Sequence, residues 1–238
     1  MRTLLLCLLA LGLATTATAQ KTPVDDGSLN WARESCSMQN VCIELDLSQF
    51  IPQQCDAEYT PVWEYGPDST IPQQDCYGNE IGNVLGTVLN GNYPNDSGER
   101  VAMAESQWFD VTESCYLMEV CHYYDIETSY DGGNIEVNGV VAEPVGGYPD
   151  DQISDSDSYY AWCVNNEPGF TGHDPTTFVT DCFDLTPWMG QSVQIAFVFG
   201  SDSSVNYPGW YIASVRVGSD VPVPADGSTW GKIKTRYR

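Results

Sequence analysis

The chain has 238 residues, with 33 Asp and Glu against 9 Lys and Arg and a formal net charge of −24. A field of that sign repels nucleic acid and anionic lipid surfaces, so neither is expected as a partner. It suits cation binding, salty surroundings or plain solubility.

Residues 1–19 read as an export signal. Arg2 gives a positive start, Leu4 to Leu13 is an apolar run, and Ala17-Thr18-Ala19 fits the small-x-small cleavage rule. The run falls short of the ~20 apolar residues that a bilayer span needs. Cys7 lies too early for a lipoprotein anchor, so cleavage before Gln20 is expected. No later segment is apolar enough for membrane insertion, and the expected location is secreted or at the extracellular surface.

Cleavage leaves Cys36, Cys42, Cys55, Cys76, Cys115, Cys121, Cys163 and Cys182. An even count in an exported chain argues for disulfides, with 105 possible pairings among eight cysteines. Cys115 and Cys121 lie on one expected strand, which sets their Cα atoms roughly 20 Å apart at ~3.3 Å per residue. A disulfide needs less than ~7 Å, so these two must find other partners. Zinc is the rival reading, but the sequence contains no C-x-x-C pair.

Residues 20–58 form an N-terminal extension with one strand, Val41 to Leu47, which alternates in polarity. Residues 59–219 form one large β domain. Within it, Cys115 to Glu127 carries an apolar stripe (Tyr116, Met118, Val120, His122, Tyr124, Ile126), and its other face, with Glu119, Asp125 and Glu127, reads as solvated. Tyr130-Asp131-Gly132-Gly133 reads as a turn, followed by a short strand and a second turn at Asn138-Gly139, where positive φ is tolerated. Val193 to Phe199 and Trp210 to Val217 read as two strands joined by a Gly/Ser/Asp/Pro loop. Residues 220–238 are a Pro-containing linker and a basic tail, read either as a loose end or as a sorting tag. No useful helical period follows the leader, and the pattern predicts an antiparallel all-β sandwich stabilised by disulfides.

Several of these stretches resemble one family in the same order. They are Trp63-Glu64-Tyr65-Gly66, Gly86-Thr87-Val88-Leu89-Asn90-Gly91-Asn92-Tyr93, Trp108-Phe109-Asp110-Val111, Tyr130 to Val137, and Gly209-Trp210-Tyr211-Ile212-Ala213-Ser214-Val215. Together they resemble the jelly-roll accessory domains of secreted metallopeptidases of the immune inhibitor A type, which are MAM-like in form. The resemblance implies an antiparallel jelly roll, here without the protease domain. It also implies a structural calcium near the first and last strands, with Glu64 as one ligand. The family's final-strand acids are replaced here by Ala213 and Ser214, which removes charge and oxygen ligands together.

The chemistry expected of a catalyst is missing from the sequence. There is no H-E-x-x-H and no G-x-S-x-G. Of the two histidines, His122 reads as a packed, hydrogen-bonded strand residue and His173 as an exposed loop residue. With 33 acids, chance carboxylate pairs are certain and carry no specificity. Glu64, Asp131 and Asp202 are the calcium candidates, with Asp150, Asp151, Asp155 and Asp157 as a further acidic loop. Trp63, Trp162, Trp188 and Trp210 read as packing residues, and Asn95-Asp96-Ser97 is a glycosylation sequon. The expectation is a non-catalytic binding or adhesion module for an extracellular glycan, polymer or protein. The alternatives are a self-associating subunit of a fibre or coat, using the Val41–Leu47 strand, and an accessory component of a secreted protease system.

Overall fold

The computed structural model describes residues 36–53, 55, 60–154, 161, 163–173 and 176–220. The leader, Trp162, Asp155, Asp157 and the basic tail therefore lie outside the described residues. The strands are β1 (Asn40–Glu44), β2 (Phe50–Gln53), β3 (Trp63–Pro67), β4 (Asn83–Thr87), β5 (Gly98–Met103), β6 (Phe109–Asp110), β7 (Leu117–Asp125), β8 (Gly132–Val137), β9 (Val140–Val141), β10 (Val179–Asp184), β11 (Ser192–Val193), β12 (Ile195–Gly200) and β13 (Gly209–Ser219). Helical structure among the described residues is limited to three short 3₁₀ turns.

One sheet runs β10-β7-β13-β4-β3, with β1 beside the C-terminal half of β13; the other runs β2-β5-β12-β8-β9. Every named pairing is antiparallel. The chain crosses between the sheets repeatedly, at β1–β2, β2–β3, β4–β5, β7–β8, β9–β10 and β12–β13 among other connections, and the sandwich is a jelly roll. Residues 40–44 and 50–53 of the expected N-terminal extension are woven into it, since β1 pairs with β13 and β2 with β5.

Period-two alternation explains the inner faces. Met118, Val120 and Tyr124 of β7 point inward, as do Ile195, Phe197 and Phe199 of β12. Trp210 sits at the centre, with ring centroids 5.5–5.7 Å from Phe170, Phe197 and Trp63. Burying each such ring is worth about 2–3 kcal/mol. The glycines expected to turn at 132 and 133 instead begin β8. A Cβ on Gly133 would lie 2.5 Å from the Trp210 ring, and one on Gly132 would lie 2.2 Å from Ile153 Cδ1. These two glycines admit close neighbours and do not supply a turn. The Asn138-Gly139 turn forms as expected, with φ of 54° and 75°.

The outer faces are covered too. The β3–β4 loop lays Ile71, Cys76 and Ile81 over Val84, Cys121 and Tyr211. Glu119, expected in solvent, is buried there beneath Tyr77 and Arg216 and bonded to both. On the other sheet, Ile153, Ala161 and Val164 pack over Val198. The cysteines pair as Cys36–Cys182, Cys42–Cys115, Cys55–Cys163 and Cys76–Cys121. Cys115 and Cys121 thus take different partners, and Cys76–Cys121 pins the covering loop to β7.

Candidate functional site

Three loops that cross between the sheets meet at one end of the sandwich: 88–97, 126–131 and 201–208. Backbone bonds join the first to the third, from Tyr93 N–H to Tyr207 O (3.1 Å) and from Asp96 N–H to Asp202 O (2.6 Å). Side chains extend the join. Asn92 Nδ2 donates to Asn206 O, Asn206 Nδ2 donates to Asn95 Oδ1, and Asn95 Nδ2 donates to Ser203 O. Buried Ser97 and Ser201 share a hydroxyl bond of 2.8 Å. Thr171 accepts from Ser129 N–H and donates to Glu127 O, holding the 126–131 loop from its other side.

Two of these loops bring together Glu127, Asp131 and Asp202, with one carboxylate oxygen from each within 4.8 Å of the others. Asp131 and Asp202 are buried, at 0% and 1% exposure. Asp131 accepts from the Tyr93 hydroxyl (2.7 Å) and from Asp202 N–H (2.6 Å). Tyr93 in turn accepts from Glu127 N–H (3.1 Å). Glu127 Oε2 is buried with no hydrogen-bond partner. The loops themselves contain no Lys, Arg or His.

Burial pushes the Asp131 carboxyl up to about 7, opposed by the Tyr93 and Asp202 N–H bonds and reinforced by the charges of Asp202 and Glu127. Burial, then Asp202, raises Glu127 as well. Two carboxylates at that separation repel by roughly 3 kcal/mol at an effective dielectric constant of 20. The cluster therefore either keeps a proton or takes a cation. An all-oxygen set with a buried, unpartnered acceptor fits a hard cation such as calcium, which takes oxygen ligands.

The sequence candidates separate accordingly. Asp131 and Asp202 come together across the fold, and Glu127, which the sequence placed on a solvated face, joins them. Glu64 sits outside this group. It is exposed at the start of β3, where its carboxylate accepts from Leu89 N–H at 2.7 Å. With Ala213 and Ser214 in β13, the first-and-last-strand calcium arrangement lacks its acids. Asp150 accepts from Gln152 N–H as a loop brace, and Asp151 is exposed. Asn95 is exposed, but its amide is held in the ladder to Ser203 and Asn206.

Both histidines are occupied. Trp210 Nε1–H donates to His122 Nδ1 (2.8 Å), so the ring proton lies on Nε2, which donates to Asp181 (2.7 Å). This buried relay ties β13 to β7 and β10. His173 is exposed and bonds Asp125 at 2.9 Å.

The fold and this end define a disulfide-braced jelly-roll module with an acid cluster at one end. Among curated proteins, Bacillopeptidase F of Bacillus subtilis (strain 168) is 25% identical over 153 residues, covering 64% of this chain and 9% of that protein. Among solved structures, the glycoside hydrolase domain of Endo-D from Streptococcus pneumoniae R6 aligns at 17% identity and a TM-score of 0.39, covering 73% of this chain and 22% of the other. That likeness is too low to bear on function. No protein-family model matches the chain.

Proposed function

We propose that the protein is an extracellular, non-catalytic binding module whose recognition surface is the end formed by loops 88–97, 126–131 and 201–208. The observation that carries this reading is the stitching of those loops around one buried acid cluster. That arrangement pre-organises a surface drawn from both sheets and lowers the ordering cost of binding. Loops on a rigid scaffold are where recognition concentrates.

A calcium ion held by Glu127, Asp131 and Asp202 is part of the proposal. It would neutralise the cluster and fix the loop roots. Asp131 and Asp202 are buried and Glu127 is half-buried, so the ion acts on loop position and not on the ligand directly. The segment likeness to Bacillopeptidase F supports an accessory role beside a secreted peptidase, because the match takes in 9% of that protein. The fibre alternative would use the first strand as a donor to a neighbour; within the chain that strand, β1, pairs with β13.

The test is binding of the mature protein to an array of extracellular polysaccharides, in calcium and in chelator. The proposal predicts retention on at least one polymer and weaker retention in chelator. Equal retention in both conditions would remove the ion from the account. Hydrolysis of any retained polymer would overturn the non-catalytic reading.

A further inference from the structure

We propose that the loop end is a binding face for an uncharged glycan, read by Tyr207, Tyr130 and the Asn92–Asn206–Asn95 amide ladder. This inference rests on the preceding reading that the loop end is the recognition surface, and it specifies the ligand.

Charge decides the class. Loops 88–97, 126–131 and 201–208 contain no Lys, Arg or His, but do contain Asp96, Glu127, Asp131 and Asp202. His173, beyond the 126–131 loop, is already bonded to Asp125. Uronate, sulfate and phosphate groups would meet no cationic side chain in these loops and would approach a strongly acidic body. An uncharged polyhydroxylated ring needs only amide donors and acceptors and an apolar face to stack on. Asn92, Asn95 and Asn206 are exposed and supply the amides. Tyr130 and Tyr207 are 42% and 40% exposed and supply ring surface.

Backbone strain points to the same end. Val205, at the tip of the third loop, is 51% exposed with φ of 54°. A β-branched residue rarely adopts that conformation, and Asn or Gly would adopt it at lower cost. Val88, Asn90, Asp96 and Ser129 in the other two loops also have positive φ. Strain of this kind collects at ligand-binding segments, where the surroundings hold it in place. Val205 and Tyr207 are both exposed in this loop and add apolar surface to it.

The test is affinity gel electrophoresis of the mature protein in calcium against three sets of polymers. These are uncharged (mannan, xylan, laminarin), anionic (alginate, heparin) and cationic (chitosan). The variants are Tyr207→Ala and Asn206→Ala, with Tyr65→Ala on the edge strand β3 as control. Retardation is expected with an uncharged polymer, about tenfold weaker in Tyr207→Ala and unchanged in Tyr65→Ala. Melting temperatures of the variants should match the parent, which separates lost binding from lost fold. Retardation by alginate, heparin or chitosan alone, abolished by Tyr207→Ala, would overturn the uncharged class and leave the loop-end reading standing. Retardation by an uncharged polymer that all variants retain would overturn the loop end itself. Retardation by none of the polymers would overturn the proposal.

Discussion

Asp131→Asn replaces a buried carboxylate by a neutral amide of the same shape, whose one oxygen can still accept from Asp202 N–H while its Nδ2 takes the place of the oxygen that accepts from the Tyr93 hydroxyl. In the parent protein, burial lifts the Asp131 carboxyl from 3.8 to about 7. The folded state therefore holds this proton more tightly than the unfolded chain does. Its contribution is fully present below the unfolded value and is lost as pH rises through the folded one. Between pH 5 and pH 8 the loss covers about two pH units, or roughly 3 kcal/mol at 1.36 kcal/mol per unit. At 2–4 °C per kcal/mol for a domain of this size, the parent in chelator should melt roughly 6–12 °C lower at pH 8 than at pH 5, beyond whatever slope the variant shows. Calcium at a hundredfold excess over its dissociation constant would return about 2.7 kcal/mol, with the larger gain at pH 8. Asp131→Asn should flatten the pH slope and blunt the calcium gain. The assay is differential scanning calorimetry at both pH values with calcium or EGTA. Identical slopes in parent and variant, with no calcium shift in either, would refute the reasoning about the cluster.

Three further outcomes follow from the fold. Replacing Cys76 and Cys121 together by Ala should cost about 2–4 kcal/mol in urea unfolding, and limited proteolysis should then cut first between 68 and 82, because that loop loses its pin to β7. His122→Leu leaves the buried Asp181 and Trp210 without their shared partner and should cost about 3–5 kcal/mol, measured by urea denaturation. Gly133→Ala drives a methyl into the Trp210 ring and Val198 O, and should cost about 1–3 kcal/mol with a change in near-UV circular dichroism from the displaced Trp.

The strands were legible because their signals are local. Alternation along Leu117–Asp125 and Ile195–Gly200 marks the inward residues, and Asn138-Gly139 marks a turn that needs two positive φ values. The resemblance in motif order implied a jelly roll, and the antiparallel sandwich is the observed fold. The exclusion of a Cys115–Cys121 bond needed only the rise per residue, whereas the actual partners depend on which strands become neighbours. Gly132 and Gly133 look like a turn in isolation; their cause is Trp210 and Ile153, distant in sequence. Glu119 looked solvated because nothing local says that Tyr77 and Arg216 will fold over it. The candidate site was half visible. Asp131 and Asp202 stood out as loop acids, but Glu127 gains its role only when the β7–β8 and β12–β13 crossovers meet at one end. Glu64 stands apart from that cluster, and the sequence already shows Ala213 and Ser214 where the resemblance implies acids.

The most direct measurement is a ¹⁵N–¹H correlation titration of the mature, calcium-loaded protein with an oligosaccharide of the polymer that retards it most. The account predicts that shifts concentrate on the backbone of 88–97, 126–131 and 201–208 and on the side-chain amides of Asn92, Asn95 and Asn206. Shifts centred instead on the outer face of the β2-β5-β12-β8-β9 sheet, around Arg100 and Glu136, would contradict it.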